Sequence, residues 1–456
     1  MATLSKHVRF RSAAALVVAN IIGAGIFTTT GFQASALGHP GWILALWVVG
    51  GVLALCGALC YAELGAAMPE AGGEYVYLRK TYGPAFGFMS MIVSLTAGFS
   101  AAIASASKAF VLYLGQLVPS VAENPRLLGN IGLHDVIACG VVWALIAIHG
   151  MSARRGVWFN DLVTLFKVIG IVAIIIAGIV VASMMGRGDV GNLTHVADTY
   201  HALSLMEKLS AFATSLVFVM FCYSGWNASA YIASEMKDPQ RDLPRSLLIG
   251  TGLVVVLYLG LNVVYLLGAP VEQLAGQAEV GLISGRALFG QSGASMVSVV
   301  LCVSILASAS AMTIAGPRVY FAFGSDVKFF DWLAKADKRS GAPKAALVLQ
   351  GFVTTIIILS GGIAAIQQYA GFTLSLFAAL AVSCVIVLRY KSPDLKRPFK
   401  AWGYPVTPLL FLILSAWMMV FALLGERWFQ AVLGLATVGI SGLAFLIVRK
   451  LSRRSS

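Results

Sequence analysis

Apolar stretches of about twenty residues follow one another through this chain with almost no charge inside them. A helix needs roughly 20 apolar residues to cross a hydrocarbon core of about 30 Å. Within that core every backbone N–H and C=O must find its partner inside the segment. Stretches near 12–34, 41–61, 84–117, 133–150, 158–184, 207–234, 246–268, 291–322, 344–361, 364–388, 405–424 and 428–448 meet the requirement. Charged residues make up 11% of the 456 positions, less than half of the roughly 25% that covers a soluble protein. The chain cannot dress a water-facing surface. The expected fold is all-α and integral to the membrane, with about 12 transmembrane helices in a single domain over 1–456. No stretch between the spans is long enough for a second, soluble domain.

The formal net charge of +13 would suggest nucleic acid on a soluble domain. Here the Lys and Arg residues gather in alternate loops. One set holds Lys6, Arg9 and Arg11, then Arg79 and Lys80, Arg154 and Arg155, and Lys237, Arg241 and Arg245. It continues through Lys328, Lys335, Lys338, Arg339 and Lys344, through Arg389 to Lys400, and ends with Arg449, Lys450, Arg453 and Arg454. The opposite set has only Arg126, Arg187, Lys208, Arg286 and Arg427. The positive-inside rule then places both termini in the cytoplasm of a multi-pass cell-membrane protein, and no nucleic-acid partner is needed. The N-terminus shows no small-residue cleavage site, so no removable signal peptide is expected. Cys56, Cys60, Cys139, Cys222, Cys302 and Cys384 all sit in apolar runs without paired ligand spacing, and neither a metal nor another cofactor is expected.

Two spans are unusual. The first carries Asn20-Ile21-Ile22-Gly23-Ala24-Gly25-Ile26-Phe27 at mid-span, and the sixth carries Phe221-Cys222-Tyr223-Ser224-Gly225-Trp226-Asn227. Small residues also let membrane helices pack closely. A glycine cluster at corresponding places in two five-helix halves points further, to helices broken around a binding site between inverted repeats. The halves are expected near 12–184 and 207–388, with two appended helices near 405–448. A break leaves free N–H groups at the start of one half-helix and free C=O groups at the end of the other. The first attract a carboxylate and the second an ammonium. That pair of sites is complementary to an α-amino acid. Glu63, Asp161, Glu207 and Glu235 all lie near span ends. A cationic cargo would want a desolvated carboxylate, so a neutral side chain is expected.

The two breaks resemble those of the amino acid–polyamine–organocation transporters, and the sixth-span stretch is closest to the L-type amino acid transporter branch. Tyr61-Ala62-Glu63-Leu64, Pro69-Glu70-Ala71-Gly72-Gly73-Glu74-Tyr75 and Glu235-Met236-Lys237-Asp238-Pro239 fit in order. So do Arg397-Pro398-Phe399-Lys400 and Gly403-Tyr404-Pro405. The resemblance runs through nearly the whole chain. It implies that backbone N–H groups of Ala24 and Gly25 bind the α-carboxylate. Carbonyls of Ile21, Phe221 and Ser224 would receive the α-ammonium. Phe221 is similar in place to an aromatic lid, and Tyr223, Trp226 and Asn227 would shape or polarise the pocket. The family often has Gly-Ser-Gly where this chain has Gly23-Ala24-Gly25, which removes one hydroxyl donor.

Lys167 lies well inside the fifth span, where a charge costs about 2.5–3.5 kcal/mol on insertion scales. The L-type branch has a lysine in the similar position, near the cation site of sodium-coupled relatives. The resemblance therefore implies an ammonium that ties the first broken helix to the fifth span without sodium. Lys108 in the third span is expected at an outer vestibule or snorkelling to water, and Arg318 as an interface anchor. The leading reading is a secondary active transporter of neutral amino acids, sodium-independent, working by alternating access as an exchanger or proton symporter. No loop cysteine is present for an obligatory partner protein. The alternative is a cationic amino acid or polyamine carrier of the same fold, with Phe221, Tyr223 and Trp226 supplying cation–π contacts. An intramembrane enzyme would need His and carboxylate clusters, and a channel a repeated pore motif; neither is present in the sequence.

Overall fold

The computed structural model describes residues 8–70, 72–129, 131–151, 153–337 and 340–454, and the side chains of all of these but 153–161 and 452–454. Lys6, Ala71, Lys338 and Arg339, with the side chains of Arg154, Arg155, Asp161, Arg453 and Arg454, lie outside that description.

The first span is two helices, α1 (Phe10–Ile21) and α2 (Gly25–Leu37). The second, α3 (Pro40–Ala67), starts on a proline, whose missing N–H is no loss in a first turn. A short helix, α4 (Glu74–Tyr82), leads into the third span. There α5 (Pro84–Val93) and α6 (Ala101–Gly115) are joined by a π-helical stretch, Ser94–Ser100. After α7 (Pro119–Ala122), a small antiparallel pairing of Arg126–Leu128 with Ile131–Gly132 precedes α8 (Leu133–Met151) and α9 (Ala153–Met184).

α10 (Asp198–Ala202) comes before α11 (Leu205–Tyr223), whose first turn is closed by a reciprocal capping box of Ser204 and Glu207. A 3₁₀ helix, Ala228–Glu235, completes the sixth span. Next come α12 (Pro239–Gly268), α13 (Val271–Leu274) and α14 (Val280–Asp326), the last interrupted at Gly290. The chain ends with α15 (Lys344–Ser360), α16 (Ile363–Lys391), α17 (Val406–Leu424) and α18 (Trp428–Arg454).

Among the described residues, 11 helical stretches are long and apolar enough to cross a membrane, and the 17-residue α15 is a shorter apolar helix in the ninth position. The fold is thus the all-α membrane bundle of about 12 helices that the apolar pattern requires. The first span lies at its centre, with 83% of its apolar window buried, against 17% for α18 at the periphery. α1 packs on α12, α11 on α2 and α16, and α14 on α6 and α9. This arrangement brings both broken spans into the middle of the bundle.

Charges near the helix ends tie elements together. Arg389 on α16 grips buried Glu63 on α3 through two hydrogen bonds of 2.9 and 2.6 Å. Arg397 lies 3.5 Å from the same carboxylate, and the Ala401 N–H donates to it at 2.7 Å. Lys108 neither snorkels nor stands free. Its ammonium is 2.5 Å from Asp135 on α8 and donates to the Ile358 carbonyl on α15 at 3.0 Å. Arg318 faces Glu235 at 3.5 Å, which makes it one half of a tie between α14 and the sixth span.

Candidate functional site

Both glycine clusters are breaks. α1 ends at Ile21, Ile22 turns out of helical geometry at ψ 89°, and α2 begins at Gly25. Among the described residues, no backbone carbonyl accepts from the N–H of Ala24, Gly25 or Ile26. These are first-turn donors at the positive end of a 13-residue helix. α11 ends at Tyr223, Ser224 is extended at ψ 148°, and the chain resumes as 3₁₀ helix only at Ala228.

The breaks are pressed against each other. A Cβ added to Gly25 would sit 2.5 Å from the Cys222 sulfur. One added to Gly225 would sit 3.0 Å from the Asn20 carbonyl, and Gly225 has φ +95°, where side chains are strained. Tyr258 of α12 bridges them, its hydroxyl lying 2.7 Å from the Ile21 carbonyl and 3.1 Å from that of Cys222.

Lys167, 1% exposed on α9, reaches the end of α1. Its ammonium donates to the carbonyls of Ala19 at 3.2 Å and Ile22 at 2.9 Å, and to the Ser308 hydroxyl at 2.6 Å. All three protons are used. The carbonyls are those a helix loses when it stops, and a cation at a helix C-terminus is favoured by the dipole. Ser308, which also donates to the Ile22 carbonyl, carries no signal in the sequence.

Beside the breaks lies a cavity of about 60 Å³, room for only a few waters. Ser224, Trp226 and Asn227 line it, and the first span contributes Asn20. Trp226 stands edge-on to Tyr61 with ring centres 4.5 Å apart. Ile21, Ala24 and Gly25 form the first break itself and do not line the cavity. Neither does Phe221, which is buried and whose carbonyl accepts from the Ser224 N–H and hydroxyl at 3.0 and 2.6 Å. Tyr223 points elsewhere, its hydroxyl donating to the Trp47 carbonyl on α3 at 3.1 Å.

The sequence reading missed two parts of this lining. The π-helical stretch supplies Ser94, Gly98 and Phe99. π-helical turns recur at functional sites, but the apolar pattern runs through this one unbroken. The other part is Glu74, 4% exposed at the start of α4. Its Oε2 accepts from Tyr61 at 2.7 Å, and its Oε1 has Ser94 and Tyr231 hydroxyls at 3.5 Å. Asn227 in turn donates to the Tyr231 hydroxyl at 3.1 Å. Burial pushes the Glu74 carboxyl above the usual carboxylate range, while the three hydroxyls pull it down. A cavity without a carboxylate was expected, and Glu74 corrects that. Its Gly72-Gly73-Glu74-Tyr75 setting reads as a loop between spans, yet the loop folds inward.

A bundle of membrane helices, two of them broken side by side over a shared cavity, is the architecture of a transporter. The family model for amino acid permeases matches residues 8–442, and the chain belongs to that family. It is similar to the human b(0,+)-type amino acid transporter 1, at 28% identity over 97% of this chain and 88% of the relative. The mouse protein of that name is 27% identical over 93% and 84%. The human large neutral amino acids transporter small subunit 2 is 28% identical over 93% of this chain and 77% of its own length. The chain is a membrane transporter of amino acids and not an enzyme.

Proposed function

We propose that this chain is a sodium-independent secondary transporter that recognises amino acids by their backbone and carries neutral side chains by alternating access, as an exchanger or proton symporter. The observation that carries the reading is the pair of adjoining breaks, with the N–H groups of Ala24, Gly25 and Ile26 free of carbonyl partners beside a small cavity. The α-carboxylate binds to the start of α2. The α-ammonium binds to carbonyls of Ile21, Phe221 and Ser224: that of Ile21 keeps a lone pair beyond its bond to Tyr258, and that of Phe221 offers one when the Ser224 hydroxyl turns away from it. Trp226 and Asn227 shape the pocket, Phe221 closes over it, and Tyr223 supports the second break from behind. Lys167 fixes the end of α1 in the place a sodium ion would otherwise hold. The halves near 12–184 and 207–388 rock against each other around the breaks, with α17 and α18 outside the moving parts.

The "small subunit" in one relative's name describes that protein as part of an assembly. All six cysteines of this chain lie in helices, which supports its acting without a disulfide-linked partner. Glu74 supports a second reading, in which cationic amino acids are also accepted.

Uptake of labelled amino acids into sodium-free proteoliposomes, empty or preloaded with unlabelled substrate, tests the reading. Neutral amino acids should enter, and preloading separates exchange from net symport. Failure of every amino acid to enter, or an absolute need for sodium, overturns it.

A further inference from the structure

Glu74 is the one charged residue lining the cavity among the described residues. It is buried, and among the described residues no ion pair reaches it. On its own helix Arg79 pairs with Asp326 of α14, and Lys80 pairs with Glu70. Tyr75 donates to Asp326, and Tyr77 is buried beside Tyr61. On α16, which packs against α4, Arg389 is held by Glu63 of α3, and on α14, tied to α4 by the Arg79 pair, Arg318 is held by Glu235. The groups that do face Glu74 are the hydroxyls of Tyr61, Ser94 and Tyr231. Its Oε2 is well bonded to Tyr61, while both contacts of Oε1 are stretched to 3.5 Å, which leaves that oxygen with capacity.

A buried carboxylate without a partner is strongly disfavoured and takes up whatever positive charge is offered. A neutral amino acid is a zwitterion, so its arrival at the breaks adds no net charge. With that cargo only a proton can neutralise Glu74. A basic amino acid brings one positive charge more, on a side chain that the cavity must house. Asn227 of the second break reaches Glu74 through the Tyr231 hydroxyl, so occupancy of the break and the state of the carboxylate are linked by hydrogen bonds.

We propose that Glu74 is the charge-compensating residue of the cavity: it carries a proton alongside a cargo with a neutral side chain, and pairs with the cationic group of a basic cargo in the proton's place. The proton comes from water on the side where the cavity is open, adds to Oε1, and returns to water on the other side. No covalent bond in the cargo changes. The inference rests on amino acid transport by alternating access and says which charge moves with the substrate.

The test uses the full-length protein in sodium-free, preloaded proteoliposomes with the membrane potential clamped at zero, and L-leucine and L-arginine as probes. For the unaltered protein, an inward proton gradient should raise leucine uptake several-fold and leave arginine uptake nearly unchanged. In Glu74→Gln the gradient response should vanish. The arginine-to-leucine uptake ratio should fall about tenfold or more, as for a lost desolvated ion pair. Glu74→Asp should keep part of both properties, and Tyr231→Phe should shift the pH at which leucine uptake is half-maximal. A Glu74→Gln protein with an unchanged gradient response and an unchanged ratio overturns the proposal. If that variant carries neither probe, stabilisation of the purified protein against heat by leucine decides. It should vary with pH in the unaltered protein and be flat in the variant, and equal pH dependence in both overturns the proposal. An unaltered protein that exchanges leucine with no gradient response overturns it too, and leaves amino acid transport standing. An unaltered protein that carries neither probe removes the transport reading itself.

Discussion

Gly225 shows how little room single residues have at the breaks. It needs a left-handed backbone, and a Cβ there would press on the Asn20 backbone 3.0 Å away. Gly225→Ala therefore adds strain of about 1–2 kcal/mol and pushes the two broken spans apart. Uptake should fall about tenfold or more while the protein still purifies as a folded species. Normal uptake would mean that the breaks tolerate separation. Lys167 acts in the opposite sense, by holding groups together. Lys167→Ala leaves the Ala19 carbonyl without this donor and the Ile22 carbonyl with Ser308 alone, at about 1–3 kcal/mol for a buried acceptor. Both the thermal midpoint in detergent and the transport rate should drop. Unchanged rate and unchanged substrate preference would limit the lysine to a dispensable tether. Its position was legible, because a charge deep in an apolar run stands out. Its partner Ser308 was not, because serines are common in membrane helices and only the fold selects one.

Among elements, spans were read most easily, because hydrocarbon thickness fixes their length and apolar character. The breaks were read from glycines among polar residues in otherwise continuous runs. α4 was hidden, since Glu74, Arg79 and Lys80 make its sequence look like a loop, and helix length alone does not reveal that it turns back into the bundle. The π-helical stretch was hidden for the opposite reason: Ser94–Ser100 keeps the apolar pattern while changing which residues face inward. Of the pocket residues expected from the breaks, Ser224, Trp226 and Asn227 reach the cavity. Tyr223 is turned away by its bond to Trp47, a contact between elements far apart in sequence. The tie between α3 and α16 is of the same long-range kind. Glu63→Ala would leave Arg389 and Arg397 without their carboxylate and the Ala401 N–H without its acceptor. Loss of one partner of a buried pair costs about 3–5 kcal/mol. With Arg389 part-exposed, the lower end is expected, seen as a lower thermal midpoint with the helical content retained. A midpoint equal to that of the unaltered protein would show that α3 and α16 are held by apolar packing alone.

For the whole molecule, the ion pairs outside the cavity are distributed unevenly. Arg79 with Asp326, Arg318 with Glu235, and Arg389 with Glu63 all belong to the basic-loop end, which the positive-inside rule assigns to the cytoplasm. These pairs join α4 to α14, the sixth span to α14, and α3 to α16, so they tie the bundle together at that end. A cavity of about 60 Å³ is too small to admit an amino acid as it stands. If the cavity empties towards this end, α4 must leave α14 once in every cycle. Cysteines placed at Arg79 and Asp326 and joined by a cleavable thiol-reactive linker of roughly the length of the two side chains would hold them together. Five of the six native cysteines are buried, and replacing half-buried Cys139 by serine removes the remaining accessible thiol. Exchange in proteoliposomes should stop on linking, by about tenfold or more, and return when the linker is cut. The same variant without linker should still exchange, since a part-exposed pair contributes little to stability. Undiminished exchange in the linked protein would show that α4 and α14 move as one body and that the cavity opens along another seam.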